Sequence, residues 1–500
     1  MRAEMSGFFS KFVGKYNSRL DNTMKSVNFL AVDLGATSGR TILGTLEDGR
    51  LQQRELTRFP NHIIQVGGHW HWDLLALYRE VLEALKLVAS EGVELQSIGI
   101  DTWGCDFAMF GNDGGLLRQP YCYRDPQTEG AMEQFFERMA KEKVYERTGI
   151  QFMPFNSLFQ LDTLRRNEDS ALRVADKILF IPDALTYLLT GEQVCEYTVL
   201  STSQLLNPRT RELDPALLTE LELKKGNFGR MVEPGEQVGV LTEEVQRLTG
   251  LGPVPVVAVA GHDTASAVAA VPAEDERFAY LSCGTWSLLG IESPTPIISE
   301  KSLEYNFTNE GGVEGTTRVL KNICGMWLLE QCRKESPSWP SNINEINRGA
   351  MEAMPGQSII NPDDPRFANP VSMVDAIRGY CSETDQHVPQ DYREIARCIF
   401  ESLARRYRQV LDWLRDLAPM PIERLHVIGG GSRNEQLMQM TADAIGMPVI
   451  AGPAEGTALG NMLLQAKAAG IVKNLQEMRQ VVRRSIETRT YQPASSPERE

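Results

Sequence analysis

The sequence predicts an α/β protein whose two domains have similar cores and face each other across a central cleft. Its 500 residues exceed the size at which one hydrophobic core usually suffices. Apolar runs typical of buried strands alternate with amphipathic segments typical of helices, which indicates an α/β architecture. A strand–turn–strand pattern occurs in "AVDLGATSGRTIL" and again, about half the chain later, in "AYLSCGTWSLLG". A repeat of that length predicts two related domains.

The chain divides into four segments. Residues 1–25 form a leader, 26–272 the first domain, 273–484 the second domain and 485–500 a tail. We place the boundary between the domains beside "PAEDER", which is polar and contains proline, as linkers commonly do. The leader lacks a signal-peptide core, and the chain ends in "QPASSPERE". Both ends are therefore expected to be disordered.

Hydrophobic periodicity gives the clearest predictions for individual elements. A strand begins at Val27, and "SIGIDTWGCDF" is a second strand that ends in carboxylates. Asp73 opens and Gly92 closes an amphipathic helix. "RLHVIGGGSRNEQL" predicts a strand that breaks into a glycine loop before a helix. A longer helix has apolar residues at every third or fourth position: Ile395, Ile399, Leu403, Tyr407, Val410, Leu414 and Leu417.

Composition and charge exclude several classes of protein. The formal net charge of −15 disfavours nonspecific nucleic-acid binding, which needs clustered lysine and arginine. No run approaches the roughly 20 apolar residues of a membrane helix. The eight cysteines show no zinc-binding spacing, so free thiols in the cytoplasm are expected. The sequence leaves open whether Cys381 and Cys398 pair.

The turn in "DLGATSGR" predicts a phosphate site. Glycines allow a tight turn whose amides form a concave nest for phosphate oxygens. Thr37 and Ser38 add hydroxyl groups, and Arg40 adds a cation. Asp33, at the strand end, is placed to hold Mg²⁺ through water. A simple hairpin turn without any ligand is the alternative for this segment alone.

Two further glycine segments in the second half suit a nucleotide. "SCGTWSLLG" repeats the chemistry of the first turn, with Gly284 and Thr285 as a second phosphate clamp. The glycines of "GGGS" would let a flat adenine ring lie close to the backbone. A flexible loop explains these glycines equally well when they are considered alone.

Two polar strand ends in the first half suit a sugar. In "GIDTWGCDF", Asp101 and Asp106 are candidate acceptors for sugar hydroxyl groups, although Asp106 could instead cap the following turn. The apolar run "PVPVVAVA" predicts a buried strand that leads into "GHDT". Asp263 there could accept a hydroxyl proton during phosphoryl transfer. His262 could contact a substrate hydroxyl, or it could be a structural histidine.

Taken together and in this order, these segments resemble the sugar-kinase family that includes glycerol kinase and xylulokinase. The similarity extends from about Val27 to about Val482 and includes "YRDPQTEG", "GIQFMPFNSLFQL", "TNEGG" and "RVLKNICGMWLLE". It implies two actin-like (ribonuclease H-like) ATPase domains and phosphoryl transfer from ATP, with Mg²⁺, to a sugar hydroxyl. The segments are most similar to those of members that convert L-rhamnulose to L-rhamnulose 1-phosphate in L-rhamnose catabolism.

The resemblance also implies roles for individual residues. The catalytic base of the family falls on Asp263. Glu330, which follows "WLL", departs from the glutamine of the family at that position and is not included. The positions that contact the sugar fall on Gly104, His262, Asp263, Thr264 and Asn322. The positions that contact ATP fall on Ala36, Thr37, Ser38, Gly39, Arg40, Thr285 and Gly430.

Two other functions stay open at this point. One is a kinase for another ketose, such as fuculose or xylulose, because one hydroxyl configuration decides the preference. The other is a non-metabolic ATPase switch of the actin and heat-shock-chaperone type, which would not need "GHDT" beside "DTWG". The expected partners are L-rhamnulose and ATP, without nucleic acid or membrane. A cytoplasmic monomer or weak homo-oligomer is the expected state.

Overall fold

A computed structural model describes residues 26–494, so the predicted leader and the last six residues of the predicted tail lie outside the described residues. The described chain forms two large mixed sheets with helices packed against them, together with four small two-stranded sheets. Within residues 26–494, no helix combines the length and the apolar character that crossing a lipid bilayer requires.

The strands are β1 (Val27–Leu34), β2 (Ser38–Glu47), β3 (Arg50–Pro60), β4 (Ile63–Val66), β5 (His69–Trp72), β6 (Leu95–Thr102), β7 (Phe107–Phe110), β8 (Lys177–Phe180), β9 (Val194–Glu196), β10 (Leu206–Asn207), β11 (Glu212–Leu213), β12 (Arg230–Val232), β13 (Glu236–Val240), β14 (Pro255–Ala258), β15 (Phe278–Cys283), β16 (Trp286–Ser293), β17 (Thr308–Gly311), β18 (Thr317–Cys324), β19 (Arg424–Ile428), β20 (Val449–Ala451) and β21 (Arg489–Tyr491).

The α-helices are α1 (Leu74–Ser90), α2 (Ala131–Phe136), α3 (Lys141–Thr148), α4 (Ser157–Arg166), α5 (Ser170–Val174), α6 (Ile181–Thr190), α7 (Tyr197–Ser201), α8 (Pro215–Glu220), α9 (Glu243–Thr249), α10 (Asp263–Ala269), α11 (Glu300–Glu304), α12 (Trp327–Glu335), α13 (Ile343–Glu352), α14 (Met373–Glu383), α15 (Tyr392–Leu417), α16 (Glu435–Ile445), α17 (Gly456–Ala468) and α18 (Leu475–Ser485). Short 3₁₀ helices span Pro126–Thr128, Lys225–Asn227, Val313–Gly315, Pro365–Phe367 and Gly430–Arg433.

The first sheet has the strand order β13–β14–β6–β1–β2–β3. Its central strands β14, β6 and β1 are parallel, and the others run antiparallel to their neighbours. The central part of β1 is a continuous buried apolar run, as expected where both faces of a sheet are covered. The carboxyl ends of the three parallel strands therefore meet at one edge, where Asp33 lies opposite Asp101.

The second sheet repeats this core. Its order is β17–β18–β16–β15–β19–β20–β21, and β15, β19 and β20 are parallel. The hairpin of β15 and β16 has β19 parallel beside it, as the hairpin of β1 and β2 has β6. This arrangement confirms the prediction of two similar cores from the repeated turn.

The long predicted helices form with the expected ends and faces. The Asp73 side chain accepts a hydrogen bond from the Ala76 amide at the start of α1, and Gly92, just after the helix, has the positive φ of 67°. Helix α15 has 26 residues, and its apolar positions are buried in the second core. Amphipathic spacing was sufficient here because one helix face supplies nearly all the packing.

The last two helices do not follow the predicted division of the chain. Helices α17 and α18 come from the second half, but they pack on the first sheet. Met462 and Leu463 of α17 contribute to a buried cluster with Phe29 and Ala31 of β1. The separation at residue 272 thus describes the strands of the two sheets but not their helices.

The segment predicted as a tail also begins too early. Strand β21 lies within it and pairs antiparallel with β20, in the register that places Tyr491 opposite Val449. Tyr491 is buried in the second core, so its aromatic ring gives this strand its stability. The second sheet therefore continues beyond residue 484.

Candidate functional site

The predicted site residues meet in a cleft of about 310 Å³ between the ends of the two large sheets. The predicted residues Ser38, Gly39, Asp101 and Asp106 do not line this cleft, and the others do: Asp33, Ala36, Thr37, Arg40, Gly104, His262, Asp263, Thr264, Gly284, Thr285, Asn322 and Gly430. The first turn and the "GHDT" segment face the second turn and the glycine loop across it. The fold therefore brings together residues from six separate parts of the sequence.

The first turn is tightly closed. The Gly35 amide donates to the Ser38 carbonyl over 2.9 Å, and Asn61 donates through its side chain to the Gly35 carbonyl over 3.0 Å. Ser38 and Gly39 already belong to β2, and the α-carbon of Gly39 packs against the ring of Phe59. These two residues do not line the cleft: Gly39 is buried against Phe59, and Ser38 is partly buried at the start of β2. Their contact with ATP stays a prediction.

A charged cluster lies behind this turn. Arg40 donates to the carboxylate Oδ2 of Asp33 over 2.7 and 2.9 Å, and it also pairs with Glu455. Burial raises the pKa of Asp33 above its ordinary value, although Arg40 opposes the rise. Burial also acts to lower the pKa of Arg40, but Asp33 and Glu455 outweigh burial and raise it. Arg40 therefore stays charged and compensates two carboxylates.

Asp263 stands at the first position of α10, directly after the loop that follows β14. The strand is shorter than predicted, because β14 ends at Ala258 and the Gly261 amide bonds to a side chain instead of a neighbouring strand. Thr264 donates through its hydroxyl to Oδ1 of Asp263 over 3.0 Å. The Asp263 side chain keeps 31% of its exposure, so a ligand in the cleft can reach it.

His262 connects the "GHDT" segment to the second sheet. Its Nδ1 lies 3.2 Å from the Glu310 carboxylate and 3.1 Å from the Arg318 guanidinium, which are themselves 3.1 Å apart. Its Nε2 lies 3.6 Å from the Asp263 carboxylate. Burial acts to raise the pKa of Glu310, but Arg318 and His262 outweigh burial and lower it. The position of His262 is therefore compatible with both roles considered from the sequence: it lines the cleft, where a substrate could contact it, and it is held by the ion cluster of Glu310 and Arg318.

Gly104 and Asn322 lie on opposite walls of the cleft. A side chain at position 104 would collide with Thr202, whose hydroxyl also accepts from the Cys105 amide over 3.0 Å. Gln151 holds Asn322, because its Oε1 accepts from both the amide and the side chain of Asn322, over 2.8 and 3.1 Å. These bonds fix one end of the Asn322 side chain and leave its oxygen for another partner.

The carboxylates of the "GIDTWGCDF" segment do not line the cleft. Asp101 is fully buried and accepts from the Asn461 side chain of α17 over 2.6 Å. Asp106 is also fully buried; its Oδ2 accepts from the indoles of Trp72 and Trp103, over 2.6 and 2.9 Å. Burial raises the pKa of Asp106 to about 6. Neither carboxylate is an acceptor for sugar hydroxyl groups in this arrangement, and the alternative role of Asp106 as a simple turn cap is also replaced by this buried network.

The second turn is closed by backbone bonds. The Gly284 amide donates to the Trp286 carbonyl over 2.9 Å, and the Trp327 amide donates to the Thr285 carbonyl over 3.1 Å. Gly429 has the positive φ of 85° and lies against the backbone of Cys283. Gly430, beside it, has no other group within 4 Å of where a side chain would begin. The second half of the chain therefore contributes open backbone and neutral side chains to the cleft, apart from Glu310, which His262 and Arg318 compensate.

Glu330 does not line the cleft. Its carboxylate accepts from Arg333 over 2.7 Å, one turn further along α12. The departure from glutamine at this position therefore adds a charge that is compensated locally.

Several residues of the site were missed in the sequence: Gln151, Glu310, Arg318 and Glu455. The segments "GIQFMPFNSLFQL" and "TNEGG" were recognised, but nothing in them marks which residues line the cleft, such as Gln151 and Glu310. A second cavity of about 850 Å³ adjoins the cleft, and Arg124 lies 4.1 Å from the ring centre of Trp327 at its wall. Both cavities are lined by Tyr123, Gln151, Met153, Phe155, Trp286 and Asn322.

Known proteins resemble this chain in fold and in sequence. A gluconate kinase of Lactobacillus acidophilus has a TM-score of 0.78 at 17% identity, with 94% of each chain covered. The glycerol kinase of Plasmodium falciparum with ADP has a TM-score of 0.74 at 16% identity, again with 94% of each chain covered. At these identities the likeness concerns the fold, and it confirms the predicted pair of actin-like domains.

Curated relatives are much closer in sequence. The rhamnulokinase of Bacteroides thetaiotaomicron is 61% identical over 468 residues, which cover 93% of this chain and 96% of the relative. The rhamnulokinase of Bacillus subtilis is 41% identical and covers 93% and 95% of the two chains. Residues 28–270 match the N-terminal domain, and residues 279–469 the C-terminal domain, of the FGGY family of carbohydrate kinases. The chain therefore belongs to the FGGY family of carbohydrate kinases.

Proposed function

We propose that this protein transfers the γ-phosphoryl group of ATP to O1 of L-rhamnulose, giving L-rhamnulose 1-phosphate and ADP in L-rhamnose catabolism. The observation that carries the proposal is the position of Asp263, which is exposed in the same cleft that both phosphate turns line. The choice of sugar is supported by the relative that is 61% identical and named rhamnulokinase. As an FGGY carbohydrate kinase, the protein is a phosphotransferase that uses ATP.

The sugar is proposed to lie between Gly104, His262 and Asn322. The absence of a side chain at Gly104 gives the sugar room near the end of β6. Gln151 turns the side-chain oxygen of Asn322 toward the space where a hydroxyl group would donate. A site that pairs hydroxyl groups in this way can reject analogues strongly, because a mismatch leaves buried polar groups without a partner.

The phosphates of ATP are proposed to lie between the two Gly–Thr turns. Ala36, Thr37 and Arg40 line one side, and Thr285 and Gly430 the other. Amide groups and one compensated arginine suit phosphate oxygens without requiring a strongly basic protein. The open backbone at Gly430 would let the nucleoside approach closely.

Asp263 is proposed to accept the O1 proton. As the proton leaves, O1 forms a bond to the γ-phosphorus, and the bond from that phosphorus to the bridging oxygen breaks. The bridging oxygen keeps the electron pair and departs with ADP. Thr264 holds one oxygen of the Asp263 carboxylate through its hydroxyl, so the carboxylate is oriented before the sugar binds.

Asp33 fits the role of a Mg²⁺ ligand. It lines the cleft, and both bonds from Arg40 end on Oδ2, so Arg40 does not occupy Oδ1. No group of three or more potential ligands exists among residues 26–494, which suits an ion that keeps most of its waters and binds phosphate oxygens. When bound, Mg²⁺ neutralises phosphate charge.

The remaining expectations are proposals of the same kind. We propose that the protein acts in the cytoplasm as a monomer or weak homo-oligomer, without nucleic acid or membrane as a partner. The net charge of −15 and the small-molecule character of the cleft support this proposal.

A panel of acceptors tests the function. ADP release is measured with Mg-ATP and L-rhamnulose, L-fuculose, D-xylulose, glycerol or no sugar. We expect kcat/KM for L-rhamnulose to exceed that for the other acceptors by about 100-fold, since each mismatched hydroxyl leaves a polar group unpaired. Equal rates on all sugars would contradict the choice of L-rhamnulose. ADP release that no sugar stimulates would contradict the kinase and favour an ATPase switch.

A further inference from the structure

We propose that Glu196 is a positioning residue that fixes the backbone leading into Asp263. This inference rests on the proposed function, because it concerns how the proton acceptor is held. Glu196 ends β9, 67 residues before Asp263 in the chain, and it does not line the cleft. Its side chain lies within the core, where Glu196 is 2% exposed, and contacts residues 259–262, the loop between β14 and α10 that we call the catalytic loop.

The Glu196 carboxylate accepts four hydrogen bonds. Two come from the amides of Thr198 and Val199, over 2.9 and 3.0 Å, and cap the short helix α7. The third comes from the Thr198 hydroxyl over 2.6 Å. The fourth comes from the Gly261 amide over 2.9 Å and leaves the helix altogether. A helix cap explains the first two bonds but not the bond to the catalytic loop.

The hydroxyl of Thr198 extends the contact by one residue. While it donates to Glu196, it accepts from the His262 amide over 3.2 Å. Glu196 therefore holds the Gly261 amide directly and the His262 amide through Thr198. On the opposite side, the Gly261 carbonyl accepts from the Thr102 amide of β6 over 2.9 Å. The peptide groups that precede Asp263 are fixed from both sides.

This contact also explains why glycine occupies position 261. A β-carbon there would lie 3.0 Å from the Glu196 carboxylate and 3.3 Å from Pro182. The carboxylate could not then approach the Gly261 amide as closely. Glycine at position 261 thus allows the close approach of Glu196 on one side, as well as that of the proposed sugar on the other.

The carboxylate is costly to bury, so its position calls for a compensating role. A second buried carboxylate lies beside it, since Asp183 accepts from the Glu196 amide over 3.0 Å. The other oxygen of Asp183 has no hydrogen-bond partner among the described residues. Burying two acids side by side disfavours folding, and such local conflicts are typical of functional sites.

The expected effect follows from the sensitivity of phosphoryl transfer to geometry. A shift of about 1 Å in a reacting group costs about 100-fold in rate. We therefore expect Glu196→Gln to lower kcat by about 10- to 100-fold, since a neutral amide oxygen accepts more weakly than a carboxylate from the Gly261 amide and the Thr198 hydroxyl, and the amide nitrogen cannot accept from the Thr198 amide. The KM for ATP should change little, because neither phosphate turn contacts Glu196.

The control is Asp214→Asn. Asp214 is also a buried helix-capping acid, 2% exposed, and it accepts from the amides of Ala216 and Leu217 at the start of α8. The substitution again replaces an acid by its amide, and Asp214 has no contact with the catalytic loop, although its carboxylate also pairs with Arg147 over 3.1 Å. It should lose stability to a similar degree while kcat stays within twofold of the parent.

A double-mutant cycle with Gly261→Ala tests whether Glu196 acts through this contact. Each single change should lower kcat, and the double variant should lose about as much as the more severe of them, because Glu196→Gln weakens the same contact that Gly261→Ala disrupts. Gly261→Ala combined with Asp214→Asn should instead show the product of the two effects. Multiplicative effects of Glu196→Gln and Gly261→Ala would overturn the proposal.

A second readout is independent of which sugar is turned over. Amide hydrogen exchange in the peptide covering residues 259–265 should accelerate in Glu196→Gln but not in Asp214→Asn. Unchanged exchange together with kcat within twofold of the parent would overturn the positioning role. If the parent turned over no sugar, the proposed function would fail, while exchange would still decide the inference.

Thr198→Val serves if Glu196→Gln does not fold. It leaves the carboxylate in place and removes only the hydroxyl that joins Glu196 to the His262 amide. A lower kcat with unchanged KM for ATP would support the proposal. A normal kcat in folded Thr198→Val would overturn it.

Discussion

The two Gly–Thr turns, Gly35–Thr37 and Gly284–Thr285, occupy equivalent places in the two sheets but differ in the side chains around them. Both close a hairpin beside a parallel strand, and both face the same cleft. The first turn is surrounded by charges, with Asp33 and Arg40 behind it and Asp263 near it. The second turn lies over neutral groups, where the hydroxyls of Ser287 and Tyr407 are 2.7 Å apart. The charges around the turns thus lie in the first half, whereas the second half contributes open backbone and one compensated carboxylate, Glu310.

The distribution of buried acids shows the same asymmetry. In the described chain, every Asp or Glu whose pKa burial raises lies in the first half: Asp33, Asp101, Asp106, Asp183 and Glu196. The buried acid of the second half is Glu310, whose pKa Arg318 and His262 lower against the opposing effect of burial. The two cores therefore share their strand arrangement, while the acids that are costly to bury are concentrated in the first half.

The largest expected effect is that of Asp263→Asn. The amide cannot accept the O1 proton, so kcat should fall by about 10²–10⁴-fold. Sugar binding, measured by calorimetry, should stay near that of the parent because the amide keeps the shape and one accepting oxygen. Near-normal turnover would show that charge in the first half does not perform the chemistry.

Arg40→Met should destabilise the protein by about 3 kcal/mol and raise the KM for ATP. Removing one member of a buried ion pair leaves an uncompensated charge, here on Asp33. Urea unfolding measures the stability. The matched control is Arg433→Met, since Arg433 pairs with the same Glu455 but is 68% exposed, and its loss should cost at most about 1 kcal/mol. Equal losses of unfolding free energy in the two variants would contradict the claim that Arg40 compensates a buried charge at the first turn.

Glu196 gives the stability a pH dependence. Burial raises its pKa from 4.5 to about 7, so ionisation is harder in the folded than in the unfolded protein. The parent therefore loses stability from this group as the pH rises from about 4.5 to about 7, and Glu196→Gln does not. The free energy of unfolding of the parent minus that of the variant should fall by up to about 3 kcal/mol over this interval. Denaturant unfolding at pH 5 and pH 8 measures it, and a constant difference would contradict the raised pKa.

The smallest expected effect is that of removing the hydroxyl group of Thr37 or of Thr285. Thr37→Val and Thr285→Val each remove one proposed hydrogen bond to phosphate, which is worth about 1 kcal/mol, so the KM for ATP should rise about fivefold in each. Initial rates at varied ATP measure the change, with kcat as the internal control. A rise in only one variant would show that the nucleotide does not lie between the turns.

Much of the fold was predictable because its signals are local. Hydrophobic period and capping residues gave α1 and α15, and the repeated turn gave the two similar cores. The first turn lines the cleft, but the packing of Gly39 against Phe59 depends on a distant strand, so the sequence does not indicate that Ser38 and Gly39 lie outside the lining. Their predicted contact with ATP stays a prediction.

The supporting contacts were not predictable because their partners are distant in sequence. Gln151 and Asn322 are 171 residues apart, and Glu196 and Gly261 are 65 apart. Nothing in "CEYT" or "GIQF" distinguishes a side chain that reaches a distant backbone amide from one that faces solvent. Asp101 and Asp106 failed for the converse reason, since a strand-end acid resembles a ligand until its buried donors are known.

The return of α17 to the first sheet has a consequence for how the chain is made. One apolar face of that sheet, including Phe29 and Ile42, is covered by a helix that begins only at Gly456. During synthesis the first half must therefore wait, with this face uncovered, until nearly the whole chain has left the ribosome. We expect a fragment of residues 26–272 to aggregate rather than fold, so the two halves mature as one unit although their strands form two sheets.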